Sequence, residues 1–305
     1  MMNISITKGF EMLAFASNGV RQPCLFLLFF AMYVISVLGN LIILTVIVMD
    51  RHLHTPMYIF LSNLSFLDIC YINITLPKLM YILLTGDNAL SSIQCFTQLF
   101  FYNFIVVTEI ILLSVMAYDR YAAICKPLHY HLIMSKKNIV LLLGMDWVSG
   151  CLNSLLLICF ISQLSFCHST KIHHFYCDTK ALVKISCPTR HFQIIFYLEA
   201  LLFGPVPFLI GLLSYIQIIR TILQIKSTKS RSKAFSTCTS HLTVLTIFYG
   251  TVICTYMTPV SKNSEMFDQI FSVLYTAVTP MLNPLIYSLR NKDVKNALFL
   301  LISHK

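Results

Sequence analysis

Residues 23–49 read PCLFLLFFAMYVISVLGNLIILTVIVM and contain no charged side chain. A helix of about 20 apolar residues is long enough to cross the hydrocarbon core of a bilayer. Lipid offers no partner to an unpaired backbone group, so we expect this run to be helical. The stretch therefore predicts a transmembrane helix and places the chain among membrane proteins.

The composition of the whole chain agrees with this class. Hydrophobic residues make up 57% of the 305 residues and charged residues 11%, whereas soluble domains carry about 25% charged residues. No composition shift or linker divides the chain, so we expect one membrane domain over residues 1–305. The formal charge of +10 comes from scattered basic residues rather than a basic face interleaved with aromatics, and this argues against a nucleic-acid partner.

Six further apolar stretches follow the first, which predicts seven membrane-spanning helices in all. They cover residues 57–84, 93–117, 139–161, 192–219, 234–257 and 270–289. The acidic residues within them are rare and are therefore candidates for function. These residues are Asp68, Glu109, Asp146 and Glu199.

Basic residues near the ends of the spans indicate the orientation of the chain. The first loop, the segment after the third span, the fifth-to-sixth connection and the tail carry 14 of the 22 lysines and arginines. We expect that side to be cytoplasmic, with residues 1–22 outside, residues 290–305 inside and the first helix serving as the insertion signal. Asn3-Ile4-Ser5 is then a glycosylation sequon on the outer side.

Four of the 11 cysteines fall on the predicted outer side, where disulfides persist. They are Cys95, Cys167, Cys177 and Cys187. Four cysteines allow three pairings, and the residues alone do not choose among them. His174 and Asp178 beside Cys177 raise a metal site as an alternative, which a disulfide at Cys177 would exclude.

Five motifs occur in a fixed order along the chain. They are LHTPMY (53–58), MAYDRYAAICKPLHY (116–130), SY (214–215), KAFSTCTSHL (233–242) and PMLNPLIYSLRNKDVKNAL (280–298). Together they resemble the vertebrate olfactory receptors, a branch of the rhodopsin-like G-protein-coupled receptors, over nearly the whole chain. The resemblance implies an all-α seven-helix bundle with a short amphipathic C-terminal helix in the plasma membrane. It also implies a small odorant ligand and a heterotrimeric G protein of the stimulatory, olfactory type that raises cyclic AMP.

The resemblance also assigns roles at the cytoplasmic end. Asp119 and Arg120 would form an ion pair whose arginine is released on activation; the alternative for Arg120 is an ordinary basic flank of the third span. The other expected members of this switch are Tyr121, Tyr215, Asn283, Pro284 and Tyr287. His241, about two turns into the sixth helix, either joins this cluster or is a structural residue.

Asp68 and Glu109 are two carboxylates near mid-membrane on successive helices. Two like charges in a medium of low dielectric constant cannot both stay bare, so one is protonated or a cation lies between them. By resemblance Asn40 and Asn283 lie nearby, and sodium is a candidate because hard cations prefer oxygen ligands. A neutral, hydrogen-bonded carboxyl pair is the alternative, and it needs no cofactor.

The outer half of the bundle is where the resemblance places the ligand pocket. It implies a Cys95–Cys177 disulfide, a Cys167–Cys187 disulfide and a mostly apolar pocket between the third, fifth, sixth and seventh helices. The predicted lining residues are Tyr102, Asn103, Val106, Val107, Glu199, Phe203, Tyr249, Val252, Tyr256, Val273 and Thr276. Glu199 would bind an amine, donate to an alcohol if protonated, or pair with Lys184 or Arg190 instead.

A transporter and an intramembrane enzyme are the two alternatives to a receptor. A transporter is expected to show internal repeats with paired broken helices, and the two halves of this chain do not match. An intramembrane enzyme needs a nucleophile beside a base, or a metal triad, and the acids in the spans lack histidines at ligand spacing. We therefore expect a receptor rather than an enzyme.

Overall fold

The computed structural model describes residues 9–15, 22–166, 169–187, 190–257, 265–290 and 292–303. Helices dominate this part of the chain. They are α1 (Gln22–Met49), α2 (Pro56–Thr85), α3 (Ser92–Cys125), α4 (Tyr130–Ile133), α5 (Lys136–Ile161), α6 (Thr179–Ile185), α7 (Arg190–Phe203), α8 (Pro205–Gln224), α9 (Thr228–Met257), α10 (Glu265–Val273), α11 (Thr279–Arg290) and α12 (Lys292–Ser303). A single π-helical turn, Leu274–Val278, joins α10 to α11.

Within the described residues, six helical spans are long and apolar enough to cross a membrane, and Cys238–Cys254 in α9 is a shorter apolar helix. These segments confirm the predicted seven-helix bundle. Helix α3 packs against α2, α5, α8 and α9 and so lies at the centre of the bundle. The predicted third span stopped at residue 117, but the helix continues to Cys125. Asp119 and Arg120 therefore lie inside α3, before its last turn.

The fifth span, predicted as one helix over 192–219, is broken at Gly204 into α7 and α8. Pro205 stands at the first position of α8, where its missing N–H costs no hydrogen bond. A Cβ at Gly204 would come within 2.7 Å of the Ala200 carbonyl oxygen, so a larger residue would not fit this bend. The break lets the outer half of the span take its own direction.

The seventh span is distorted at two places. The π turn, Leu274–Val278, adds a residue to the helical repeat, and Thr279 Oγ1 donates to the Leu274 carbonyl at 3.0 Å. Pro284 has no N–H to give to the carbonyl of Pro280, four residues earlier. Asn40 of α1 donates its Nδ2 to that carbonyl at 2.9 Å. A neighbouring helix thus satisfies the group that the proline leaves unpaired.

A small sheet at one end of the bundle was not expected from the sequence. It contains β1 (Phe10–Met12), β2 (Ala89–Leu90) and β3 (Lys171–Ile172) in the order β2-β1-β3. Strand β1 is antiparallel to β2 and parallel to β3. Strands of two or three residues carry too little alternation to be recognised in sequence.

Candidate functional site

Asp119 and Arg120 form the predicted ion pair near the end of α3. Arg120 donates from Nε to Asp119 Oδ2 at 2.9 Å and also from its terminal Nη2. Tyr130 of α4 donates its hydroxyl to the other carboxylate oxygen, Oδ1, at 2.8 Å. Burial, followed by the Asp119 charge, raises the pKa of Tyr130, so its hydroxyl keeps the proton that it donates. Sequence reasoning had not included Tyr130 in this cluster, because the turn that returns it to α3 is irregular.

Tyr215 and His241 meet across the interface between α8 and α9. The Tyr215 hydroxyl and His241 Nδ1 are 2.7 Å apart, and both side chains are buried. Tyr287 of α11 is also buried, and its hydroxyl has no hydrogen-bond partner among the described residues. His241 therefore stands beside one of the predicted switch tyrosines. Tyr121 is half-buried and packs instead beside Tyr118 and Lys126, so it lies on a different face of α3 from Asp119.

The polar centre of the bundle contains Asp68, Glu109 and Asn283. Asp68 is 1% exposed and Glu109 3% exposed, and the two carboxyl groups are close enough to interact electrostatically. Asn283 donates its Nδ2 to both Asp68 oxygens, at 2.9 and 3.2 Å. Asn40 is directed to the backbone carbonyls of Ser36 and Pro280 rather than to Asp68.

Two oxygens at this centre bear on whether it can hold a cation. The side-chain Oδ1 atoms of Asn40 and Asn283 are buried and have no hydrogen-bond partner within the described chain. Asn40 Nδ2 donates to backbone carbonyls and Asn283 Nδ2 donates to Asp68, whereas the Oδ1 atom of each residue accepts no hydrogen bond there. Carbonyl oxygens beside carboxylates are the donor set that a hard cation prefers. The residues present therefore fit a sodium ion chemically.

The predicted pocket residues on α3, α9 and the π turn lie at the bundle interior. Tyr102, Val106 and Val107 are buried, and the Tyr102 hydroxyl is hydrogen-bonded to that of Tyr176 at 2.8 Å. Tyr249 is buried against Phe208, with ring centroids 5.1 Å apart. Thr276 is also buried, whereas three other members are half-buried: Phe203, Val252 and Val273. The side chain of Tyr256 lies outside the described part of the structure.

Two members of the predicted pocket set form hydrogen bonds to α5. Asn103 donates its Nδ2 to Ser154 Oγ at 3.1 Å, and Glu199 accepts from Asn153 Nδ2 at 2.8 Å. An amide of α5 therefore holds one carboxylate oxygen of Glu199, and the role of this residue in ligand binding stays a prediction. The sequence did not reveal this because it did not show which face of α5 meets α3 and α7.

A disulfide and several polar contacts form a lid at the end of the bundle that carries the small sheet. Cys95 and Cys177 form a disulfide, as the resemblance implied, and this excludes Cys177 as a metal ligand. Cys187 is also disulfide-bonded; its predicted partner Cys167 lies outside the described residues, as does the sequon residue Asn3. Lys180 of α6 forms an ion pair with Asp268 of α10 at 2.9 Å, which ties this loop to the seventh span.

His174 and Gln269 add hydrogen bonds to this lid. His174 Nδ1 accepts from the Tyr176 amide at 3.5 Å, so its Nε2 carries the proton and donates to Ser272 Oγ at 3.0 Å. Burial, with a smaller contribution from Lys180, lowers the pKa of His174 to about 3. Gln269 bonds to backbone groups of Leu13, Phe15 and His173, a role that no sequence signal had indicated.

Asp146 of α5 is 1% exposed, and neither of its carboxylate oxygens has a hydrogen-bond partner among the described residues. Its neighbour Trp147 donates from Nε1 to Asn63 Oδ1 at 3.3 Å. The tryptophan thus links α5 to α2, while no structural role follows for the acid.

The comparisons with known proteins all match members of one receptor family. A family model described as olfactory receptor matches residues 29–305. Olfactory receptor 1E16 of Mus musculus is 44% identical over 297 residues, which cover 97% of this chain and 95% of that protein. Olfactory receptor 1L4 of Homo sapiens is 46% identical over 296 residues, with 96% and 95% covered. Olfactory receptor 1G1 of Gorilla gorilla gorilla is 45% identical over 302 residues, with 98% and 96% covered.

Proposed function

The chain belongs to the olfactory receptor family, and from this membership we infer that it binds a small odorant in the outer half of its helix bundle. It is a multi-pass membrane protein of the G-protein-coupled receptor type and not an enzyme. The proposed output is activation of a heterotrimeric G protein of the stimulatory, olfactory type, which raises cyclic AMP. The proposed location is the plasma membrane, with the N-terminus and the sequon at Asn3 outside.

The observation that carries the ligand proposal is a buried polar group within the predicted pocket set. Thr276 in the π turn is buried, and its hydroxyl has no hydrogen-bond partner among the described residues. The Tyr249 hydroxyl in α9 is buried near Ser114 of α3. Val106 and Val107, the apolar members of the set on α3, are buried as well. An apolar site with a few polar groups left to fix orientation is typical of small-molecule pockets.

The signalling proposal rests on the ion pair of Asp119 and Arg120. A ligand that binds the active arrangement more tightly shifts the population toward it, and the cytoplasmic ends of the helices then separate. Residues 226–233, before and at the start of α9, read KSTKSRSK and contain no acid to hold Arg120. Asp119, which also accepts from Tyr130, is therefore the group that holds Arg120, and release from it exposes the guanidinium to the G protein.

The carboxyl pair at the centre of the bundle is proposed to hold a sodium ion. Asp68, Glu109, and the Oδ1 atoms of Asn40 and Asn283 would supply the oxygens. When bound, the ion supplies positive charge that lets both carboxyl groups ionise. A neutral carboxyl pair is the second candidate, since Asn283 already donates to both Asp68 oxygens.

The decisive experiment is a chemically broad odorant panel, amines included, applied to cells that express the chain and read by cyclic AMP. We expect at least one compound to give a saturable, dose-dependent response that is absent from cells lacking the receptor. That response should disappear in cells without the stimulatory G-protein α subunit. A response that persists in those cells would contradict the proposed coupling.

A further inference from the structure

A groove of about 420 Å³ lies on the outer surface between α2 and α3, apart from the proposed odorant site. Ile74 and Lys78 line it from α2. Ile93, Gln94, Thr97 and Phe101 line it from the first turns of α3. The groove therefore combines one cation with amide, hydroxyl and apolar side chains in a short distance along the bundle.

The depth of Lys78 along α2 matches the edge of the hydrocarbon layer. Helix α2 has 30 residues and is therefore about 45 Å long, about 15 Å more than the hydrocarbon core. Lys78 precedes the end of α2 at Thr85 by seven residues, or about 10 Å along the helix axis. A lysine at that depth extends its ammonium toward the headgroup layer while its methylene stem stays in the apolar region.

Among the described residues, the ammonium of Lys78 forms no ion pair with a carboxylate. It donates to the Ala89 carbonyl oxygen at 2.8 Å and lies 4.9 Å from the centre of the Tyr81 ring. An ammonium has three donors, so two remain for other acceptors. The acid of this loop, Asp87, accepts from the Ala89 amide and the Tyr81 hydroxyl and forms no ion pair with Lys78 within the described structure.

The rest of the groove suits the glycerol and acyl parts of a lipid. Ile93 is 79% exposed and Phe101 46% exposed, so both present apolar surface outward from the bundle. Gln94 uses its Oε1 to cap the start of α3 and keeps its Nε2 donors, and the Thr97 hydroxyl makes no hydrogen bond within the described structure. Along α3 these donors lie between Ile93 and Phe101, so polar groups and apolar side chains alternate in the groove.

We propose that this groove binds one glycerophospholipid, with its phosphate on Lys78 and an acyl chain along Ile74, Ile93 and Phe101. A phosphate is the anion that the membrane supplies at this depth, and it would give an anionic partner to a cation that forms no ion pair within the described residues. The bound lipid would hold the α2–α3 loop against the bundle, because Lys78 also binds Ala89 of β2.

The test uses the full-length receptor in nanodiscs and a phosphatidylcholine probe with a photoreactive diazirine in its acyl chain. The matched probe is a diacylglycerol with the same chain and no phosphate. Adducts on residues 74–101 are quantified against adducts on the lipid-facing side of α5, which includes the exposed Val140 and Leu141. The α5 signal corrects for general contact with the bilayer.

In the wild-type protein we expect the phosphatidylcholine probe to label the groove several-fold more than diacylglycerol does, because only phosphatidylcholine offers a phosphate for a charge-assisted hydrogen bond from Lys78. Lys78→Gln should remove this excess, Lys78→Arg should keep it, and Lys171→Gln, at an exposed lysine of β3, should leave it unchanged. Equal labelling by the two probes, or an excess that survives in Lys78→Gln, would overturn the proposal. A photoreactive sterol that displaces phosphatidylcholine from the groove would overturn it too. The two probes are compared on wild-type protein, so the test holds even if a variant fails to fold.

Discussion

The side-chain amide of Asn40 donates over 2.9 Å to the carbonyl of Pro280, the group that Pro284 leaves without its helical partner. A residue of α1 thereby stabilises the bend of α11, and Gly39 beside it allows close approach, since a Cβ there would lie 3.2 Å from Pro284. The NPLIY motif and Asn40 are far apart in sequence but act on one backbone group.

Asn40→Ala should destabilise the receptor by about 1 to 3 kcal/mol, because a buried carbonyl then lacks its donor. The measurement is the thermal midpoint of the detergent-purified protein. Thr45→Ala is the control, since Thr45 is on the same helix and bonds only within it, to the Leu41 carbonyl. Equal midpoints for the two variants would show that the Pro280 carbonyl does not need Asn40.

Arg120→Ala should abolish the cyclic AMP response while odorant binding persists. The guanidinium is held by Asp119 at the end of α3, remote from the predicted pocket. Tyr130→Phe should instead raise the basal response, because it removes one restraint on Asp119 and leaves the arginine in place. Cyclic AMP is measured at equal surface expression, and full signalling by Arg120→Ala would contradict the assigned switch.

Glu199→Gln should alter agonist preference while surface expression stays intact. The amide can still accept from Asn153 but can carry no negative charge, so the loss should fall mainly on amines. Asn153→Leu, which removes the partner of Glu199, should also shift preference. Dose–response curves across agonists are the readout, and identical curves for wild type and Glu199→Gln would contradict a ligand role for this acid.

Acid should destabilise the outer lid through His174. Its pKa is about 3 in the folded protein, against 6.5 for the ordinary side chain. The unfolded chain therefore binds the extra proton first as pH falls, and the stability that neutral His174 contributes above pH 6.5 is lost progressively toward pH 3. Protonation of Nδ1 removes the acceptor for the Tyr176 amide and places a second cation near Lys180.

The measurement for His174 is the thermal midpoint of purified protein between pH 7.5 and 5. As the pH falls, the free energy of unfolding of the wild type should decrease more steeply than that of His174→Gln. The difference should be at most about 1.4 kcal/mol per pH unit, which is the limit for one proton. The glutamine keeps a donor for Ser272 but does not titrate. Parallel pH profiles for the two proteins would mean that another group controls acid sensitivity.

The features predictable from sequence are those set by long apolar runs and ordered motifs. The seven spans, the Cys95–Cys177 disulfide and the pairing of Asp119 with Arg120 were all expected and are confirmed. Each depends either on the length of an apolar run or on residues that are adjacent or assigned by a family motif. The bundle, the family and the receptor class follow from the same information.

The features that were not predictable depend on how helices are rotated and where they bend. The hydrogen bond between Glu199 and Asn153 was not expected, because composition does not show which face of α5 meets α7. The break at Gly204 and the π turn depend on a few backbone contacts rather than on hydrophobicity. His241 was left between two roles, and only the fold shows that it meets Tyr215.

The three-stranded sheet has a consequence for the order of events during synthesis. Its central strand, β1, belongs to the first residues made, yet its two neighbours are separated from it by two spans in one case and by over half of the chain in the other. Because chains are made from the N-terminus, β1 must wait until α5 and the loop after it have emerged before β3 can pair with it. Pairing of β1 with β3 therefore requires that the first four spans have already been made.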